Sequence, residues 1–217
     1  MRSYGQYCAL ARTLDVIGDR WTLLIIRELF AHDCRYSDLR DALPGIATNL
    51  LAERLRHLQH HTVIESYDAP APVRATVYRL TERGRELGPA LAALVAWGGP
   101  LLADQGDDEF RTHWLALGLP TFFQGVDFAG IAPLEVVIRT GDEPATLIVG
   151  HNGVQVTMGA STSSAAATIE GSPDGVFAML TGRDRKDDLP DVQIAGPSDA
   201  VRRLHLLSRR ARVSQPH

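Results

Sequence analysis

The chain has 217 residues, 45% of them hydrophobic, with 22 basic and 26 acidic side chains and a net charge of −4. That length accommodates two small domains with packed cores, and no run of about 18 apolar residues is present to cross a membrane. Residues 1–103 are net +1 and residues 104–217 net −5, so charge alone does not announce nucleic acid, and any such role rests on where the arginines fall.

The opening stretch MRSYGQYCALARTLD is soon charged and lacks the apolar core of a secretory signal. Cys8 and Cys34 do not make a disulfide framework, which fits a reducing cytoplasm. Residues 8–32 predict two helices interrupted at Gly18-Asp19, the second nearly all apolar and therefore buried from several sides. Ser37 is the expected N-cap of a short helix with Asp38 in its first turn, and Pro44-Gly45 stops it.

Thr48 is the expected N-cap of the next helix. Leu51, Leu55 and Leu58 fall at i, i+4 and i+7 and form one apolar stripe facing a core. Asn49, Ala52, Glu53 and Arg56 point away from that stripe, and Arg54 lies on its flank. The helix should end near His60, with His61 in the left-handed position just beyond. Residues 62–67 and 75–80 read as strands around a turn-rich tip, with Arg74 just past it. Thr81 should cap a long helix carrying Leu87, Leu91, Leu94, Val95 and Trp97, and the acidic stretch 104–109 reads as a linker.

After the linker a helix is expected around residues 110–119. Strands follow at 134–139, 145–149, 154–158, 165–169 and 192–194, with Asn152-Gly153 as a hairpin turn. Ser172 and Pro173 open one helix, cap then proline at the first position, and Ser198 opens a last one with Val201, Leu204 and Leu207.

Helix, short helix, tight turn, second helix and a two-stranded ribbon make the winged helix-turn-helix plan. Its second helix fits the major groove, so outward side chains meet base edges. The runs YCALARTLDVIGDRWTLLIIREL (7–29), RYSDLRDALPGIATNLLAERLRHL (35–58) and VYRLTERGREL (77–87) resemble the HxlR-type family of bacterial winged-helix transcriptional regulators. Two departures are Ala47, where many members have Ser, and His60-His61-Thr62, which replaces a small residue, Gly and an apolar residue. The resemblance implies binding to double-stranded operator DNA as a homodimer, paired through the first and last helices of the domain.

On that plan Asn49, Ala52, Glu53 and Arg56 are expected to face bases. Thr48 stands with them at the start of the helix. Arg35, Tyr36 and Ser37 should meet backbone phosphates at the entry of the short helix, and Arg74 should do so from the wing. Arg54 either clamps a phosphate or forms an ion pair within the domain. Cys8, at the start of the first helix, is either a buried inert thiol or a redox site, because a helix N-terminus lowers a thiol's pKa. In some relatives the matching cysteine senses oxidants or electrophiles.

The pattern VQVTMG…AAATIEGSPDGVFAMLTGR…DVQIAGPSDAVRRLHLL resembles the sterol-carrier-protein-like fold, which implies helices over a twisted sheet with apolar ligands held between them. Trp114, Phe122, Phe123, Phe128, Met158, Phe177 and Met179 are then either cavity lining or plain core. No nucleophile elbow or phosphate-cradling glycine loop is present. His57 and His61 lack a third ligand for a metal. The expectation is an α+β chain: a winged helix-turn-helix domain over 1–103 and a sterol-carrier-protein-like domain over 110–208. Its expected role is that of a cytoplasmic, homodimeric regulator that binds operator DNA and senses a small apolar ligand. It should be no enzyme and need no cofactor, metal or membrane. The rivals are a redox regulator through Cys8, with a structural C-terminal domain, and a carrier or enzyme built on that domain.

Overall fold

The computed structural model describes residues 3–70, 74–102, 108–141, 143–151, 153–160, 167–182 and 191–214. The chain forms two compact units, residues 1–91 and 92–217. The expected linker at 104–109 lies mostly outside the described residues, and the division falls earlier, inside a helix.

The first unit opens with α1 (Ala9–Ile17) and α2 (Thr22–Ala31). Along α2, Ile25, Ile26 and Leu29 are fully buried, and so is Glu28, whose carboxylate accepts from the Arg27 guanidinium at 2.7 Å. A two-residue strand, β1 (Cys34–Arg35), leads into α3 (Tyr36–Ala42) and then α4 (Thr48–His60). β2 (Ile64–Asp68) and β3 (Thr76–Leu80) form the wing, in a sheet of order β1-β3-β2 with every pair antiparallel. Along β3, Val77 and Leu80 are buried while Thr76 and Arg79 are exposed.

Three local expectations are corrected. The N-cap of α3 is Arg35, not Ser37, and its amide donates to the Asp38 carboxylate at 2.8 Å. The N-cap of α4 is Ala47, with Thr48 already helical. His61 keeps a negative φ, and the left-handed residue is Thr62, at φ 55°. There the Thr62 amide returns to the Gln59 carbonyl, and its own carbonyl accepts the Thr81 hydroxyl at 2.6 Å. Partners on both sides therefore hold a conformation that a β-branched residue seldom adopts.

Thr81 caps α5 (Glu82–Arg85), its hydroxyl accepting from the Gly84 amide at 3.1 Å. Gly84 sits so close to the Val63 carbonyl that any side chain would collide with it. The long helix expected from Thr81 onward is broken, because the chain restarts as α6 (Gly88–Gly98). Glycine and proline at 88 and 89 disfavour continuation.

In the second unit the helix expected over 110–119 is a series of tight turns around α7 (Leu115–Gly118), stopped by Pro120. β4 (Leu134–Arg139), β5 (Ala145–Gly150), β6 (Gly153–Met158), β7 (Ala167–Glu170), α8 (Pro173–Thr181), β8 (Gln193–Ala195) and α9 (Ser198–Ser214) follow. Asn152 of the expected hairpin turn lies outside the described residues. The sheet runs β6-β5-β4-β7-β8, with β4 and β7 parallel and the other pairs antiparallel. Central β4 buries Val136, Val137 and Ile138 in succession, as a strand covered on both faces does. Ser172 caps α8 by accepting the Gly175 amide at 3.1 Å, and α9 buries Ala200, Leu204, Leu207 and Ala211.

Candidate nucleic-acid interface

The leucine stripe of α4 packs inward, with Leu51, Leu55 and Leu58 at most 1% exposed. Fixing that face leaves Thr48, Asn49, Glu53 and Arg56 exposed and Ala52 half-buried on the other. Arg56 bends back along the helix, its Nε donating to the Ala52 carbonyl at 3.3 Å. Arg35 and Ser37 are exposed at the start of α3. Half-buried Tyr36 donates its hydroxyl hydrogen to the Thr48 carbonyl at 2.7 Å, which ties the two helix starts together.

Arg54 does not share this surface. Its side chain is 8% exposed and forms ion pairs with Asp19 and, at 2.7 Å, with Glu53. It therefore takes the intradomain alternative and leaves the set of base- or phosphate-facing residues. Asp19 was missed as its partner, because nothing in a sequence couples a turn residue to a helix 35 positions later.

The wing is braced on α4 and on the turn after α2. Gln59 donates to the Ser66 hydroxyl at 2.9 Å, and the Tyr67 hydroxyl donates to Asp33 at 3.0 Å. Arg79 pairs with Glu65 at 2.7 Å and lies 5.1 Å over the Tyr67 ring. Arg74 is exposed beside the tip with φ 39°, and the tip residues 71–73 lie outside the described residues. Exposed arginines thus sit at the start of α3, on α4 and beside the wing tip, and arginine is a residue type that contacts phosphate oxygens.

The thiols divide clearly. Burial pushes Cys34 up to about 12, with Glu28, Asp38 and Asp33 adding to the effect. It therefore stays protonated and unreactive at neutral pH. Cys8 is exposed at the N-cap of α1, so the buried alternative for it is corrected. At the far end of α4, the His61 ring stands 4.6 Å from that of His57 and 5.1 Å from that of His60. Desolvation, then His57, His60 and Arg83, hold His61 below the usual histidine range.

Most of the expected lining residues of the second unit belong to its core. Phe123, Phe128 and Met179 are buried in the main cluster, and Met158 and Phe177 pack against it. Phe122 meets Phe177 edge-on at 4.8 Å, and half-buried Trp114 meets Phe110 at 6.1 Å. A cavity of about 380 Å³ in this unit is lined by Arg139, Thr140, Gly141, Glu170, Gly171, Asp191 and Gln193, so it is polar and holds none of the expected lining residues. Among the described residues no helix is long and apolar enough to cross a membrane.

The first unit has a winged helix-turn-helix fold that presents its second helix outward. The family model of the HxlR-like helix-turn-helix matches residues 16–105. An uncharacterized HTH-type transcriptional regulator of Synechocystis is 37% identical over 46% of this chain and 75% of its own length. Another, from Mycobacterium bovis, is 37% identical over 43% of this chain and 59% of its own. The reduced form of the transcriptional regulator YodB from Bacillus subtilis, a solved structure, is 27% identical over 49% of this chain and all of its own, with a TM-score of 0.39. The chain belongs to the HxlR-like helix-turn-helix family of transcriptional regulators through its N-terminal ~105 residues.

Proposed function

We propose that this protein is a cytoplasmic homodimer that binds double-stranded operator DNA through α4, with the C-terminal unit sensing a small molecule. The two-faced α4 carries the reading, with its leucines buried and Asn49, Glu53 and Arg56 presented outward. Support for the dimer comes from apolar side chains left in water. Trp97 is 74% exposed on α6, beside Leu94, and Tyr7, Leu10 and Leu14 are exposed on and before α1. Large apolar side chains left exposed on a helix mark protein contacts.

For the C-terminal unit, the five-stranded sheet with α8 and α9 supports the sterol-carrier-protein-like reading; the apolar ligand rests on that resemblance alone, because most of the expected lining residues pack as core and the cavity lined by Arg139 and Glu170 is polar. The sensing mechanism is linkage: a ligand that prefers one arrangement of the dimer must shift operator affinity by the same factor that DNA shifts its own. This reading assigns no catalytic step, cofactor or metal. Exposed Cys8 at a helix start supports a second reading, regulation by thiol oxidation.

The test is to select an operator with the full chain and then measure Asn49→Ala and Arg56→Ala against it and its single-base variants. Loss of a base contact should cost about 1–3 kcal/mol at the matching position. Binding indistinguishable from wild type in both variants would overturn the docking of α4. Sedimentation of Leu94→Asp/Trp97→Asp should show monomer, and an intact dimer would remove this face from the interface. A thermal-shift screen of hydrophobic molecules, followed by operator binding, tests the sensor. Ligands that leave operator affinity unchanged would overturn it.

A further inference from the structure

The acidic average of the C-terminal half hides a segregation of charge. Of its ten basic residues, five lie in α9 as Arg202, Arg203, Arg209, Arg210 and Arg212, against a single acid there, Asp199. The helix is therefore net +4, and the rest of residues 104–217 is net −9. The net −5 would disfavour a second nucleic-acid surface, but that average does not describe this helix.

The five arginines do two different jobs. Arg203 donates to the Pro133 carbonyl at 2.8 Å, and Arg210 to those of Asp127 and Ala129 at 2.6 and 2.8 Å, so these two pin α9 to the loop before β4. Arg202, Arg209 and Arg212 are exposed on another face together with His205, at spacings of three, four and three. Those spacings place them in one stripe along the helix. Arg202 reaches Asp199 at 3.3 Å, an exposed i,i+3 pair that water screens. Arg209 and Arg212 have no acidic partner among the described residues. At about 1.5 Å rise per residue the stripe is roughly 15 Å long. A duplex of that length offers roughly four phosphates per strand.

We propose that the exposed stripe Arg202–Arg209–Arg212 of α9 is a second, sequence-independent contact for the DNA phosphate backbone. The inference rests on the operator-binding reading and adds to it: α4 reads bases, and α9 adds affinity for duplex of any sequence. Charge complementarity selects the occupant. Guanidinium groups suit phosphate oxygens, and the operator-binding reading brings this chain to a polyanion through its other unit.

The experiment uses the full chain with Arg202→Gln/Arg209→Gln/Arg212→Gln, and a matching triple Lys variant that keeps the charge. Binding to operator and to unrelated duplex is measured from 50 to 300 mM salt, with thermal unfolding as a check on the fold. In the Gln variant the slope of log K against log salt should flatten by up to about three per protomer. Affinity at the lowest salt should fall about tenfold or more, equally on both DNAs. The Lys variant should restore it, and the melting temperature should hold because all three side chains are in water. Operator-selective binding with an unchanged salt slope would overturn this inference and leave the α4 reading standing. No DNA binding by the wild-type chain would overturn both. The Gln variant losing only its affinity for vesicles containing anionic lipid, or only self-association, would reassign the stripe to that partner and overturn the DNA contact.

Discussion

The Tyr36 hydroxyl and the Thr48 carbonyl, 2.7 Å apart, join the first residue of α3 to the first residue of α4. Tyr36 was expected to reach a phosphate, and its donor is instead committed to the neighbouring helix. The bond ties the start of α4 to the start of α3.

Tyr36→Phe should therefore lower stability by about 0.5–1.5 kcal/mol and weaken operator binding as well. Urea unfolding and a binding titration measure the two effects. A stability loss with full operator affinity would show that the bond does not position α4.

Arg54→Leu should destabilise the first unit by roughly 2 kcal/mol, less than for a fully buried pair because the Asp19 side chain is 37% exposed. The folded remainder should keep the wild-type sequence preference. Altered base preference would return Arg54 to the DNA-facing set.

Arg74→Asn removes the positive charge beside the wing tip while supplying a residue that tolerates positive φ. Binding should weaken alike on all sequences, with the salt slope flatter by about one. A change in preference at constant slope would mean that the wing reads bases.

The two thiols should separate in a labelling experiment. Iodoacetamide at pH 8 should modify exposed Cys8 and spare Cys34 in the native protein, read by mass spectrometry. Because folding raises Cys34 to about 12, its contribution to stability is complete below its unfolded pKa of about 9 and is lost as pH rises toward 12. The alkaline fall in melting temperature should be smaller in Cys34→Ala.

His61 works in the opposite direction. Folding lowers its pKa, so its stabilising contribution is present above the unfolded value of about 6.5 and is lost as pH falls below it. The melting temperature should drop between pH 7.5 and 5.5, and less so in His61→Gln. Equal drops in both proteins would place the acid sensitivity elsewhere.

Where one side chain's periodicity decides the outcome, the sequence by itself was sufficient. The spacing of Leu51, Leu55 and Leu58 sets which side of α4 is buried. Apolar and β-branched runs between turn signals set the strands of the wing and of the second sheet, and the Ser172-Pro173 cap sets the start of α8. These are local choices between water and a core, and each is written in a few consecutive residues. Tertiary structure decided what depends on distant partners. Arg54 became an ion-pair residue because the fold brings Asp19 to it, and Tyr36 a brace because α4 begins beside it. Thr62 rather than His61 turns left-handed because the Thr81 hydroxyl waits for its carbonyl. Phe123, Phe128 and Met179 became core, and the arginines of α9 divided between carbonyl anchors and an open stripe. Burial and hydrogen bonding couple residues tens of positions apart, and a linear pattern carries no record of which pairs will meet.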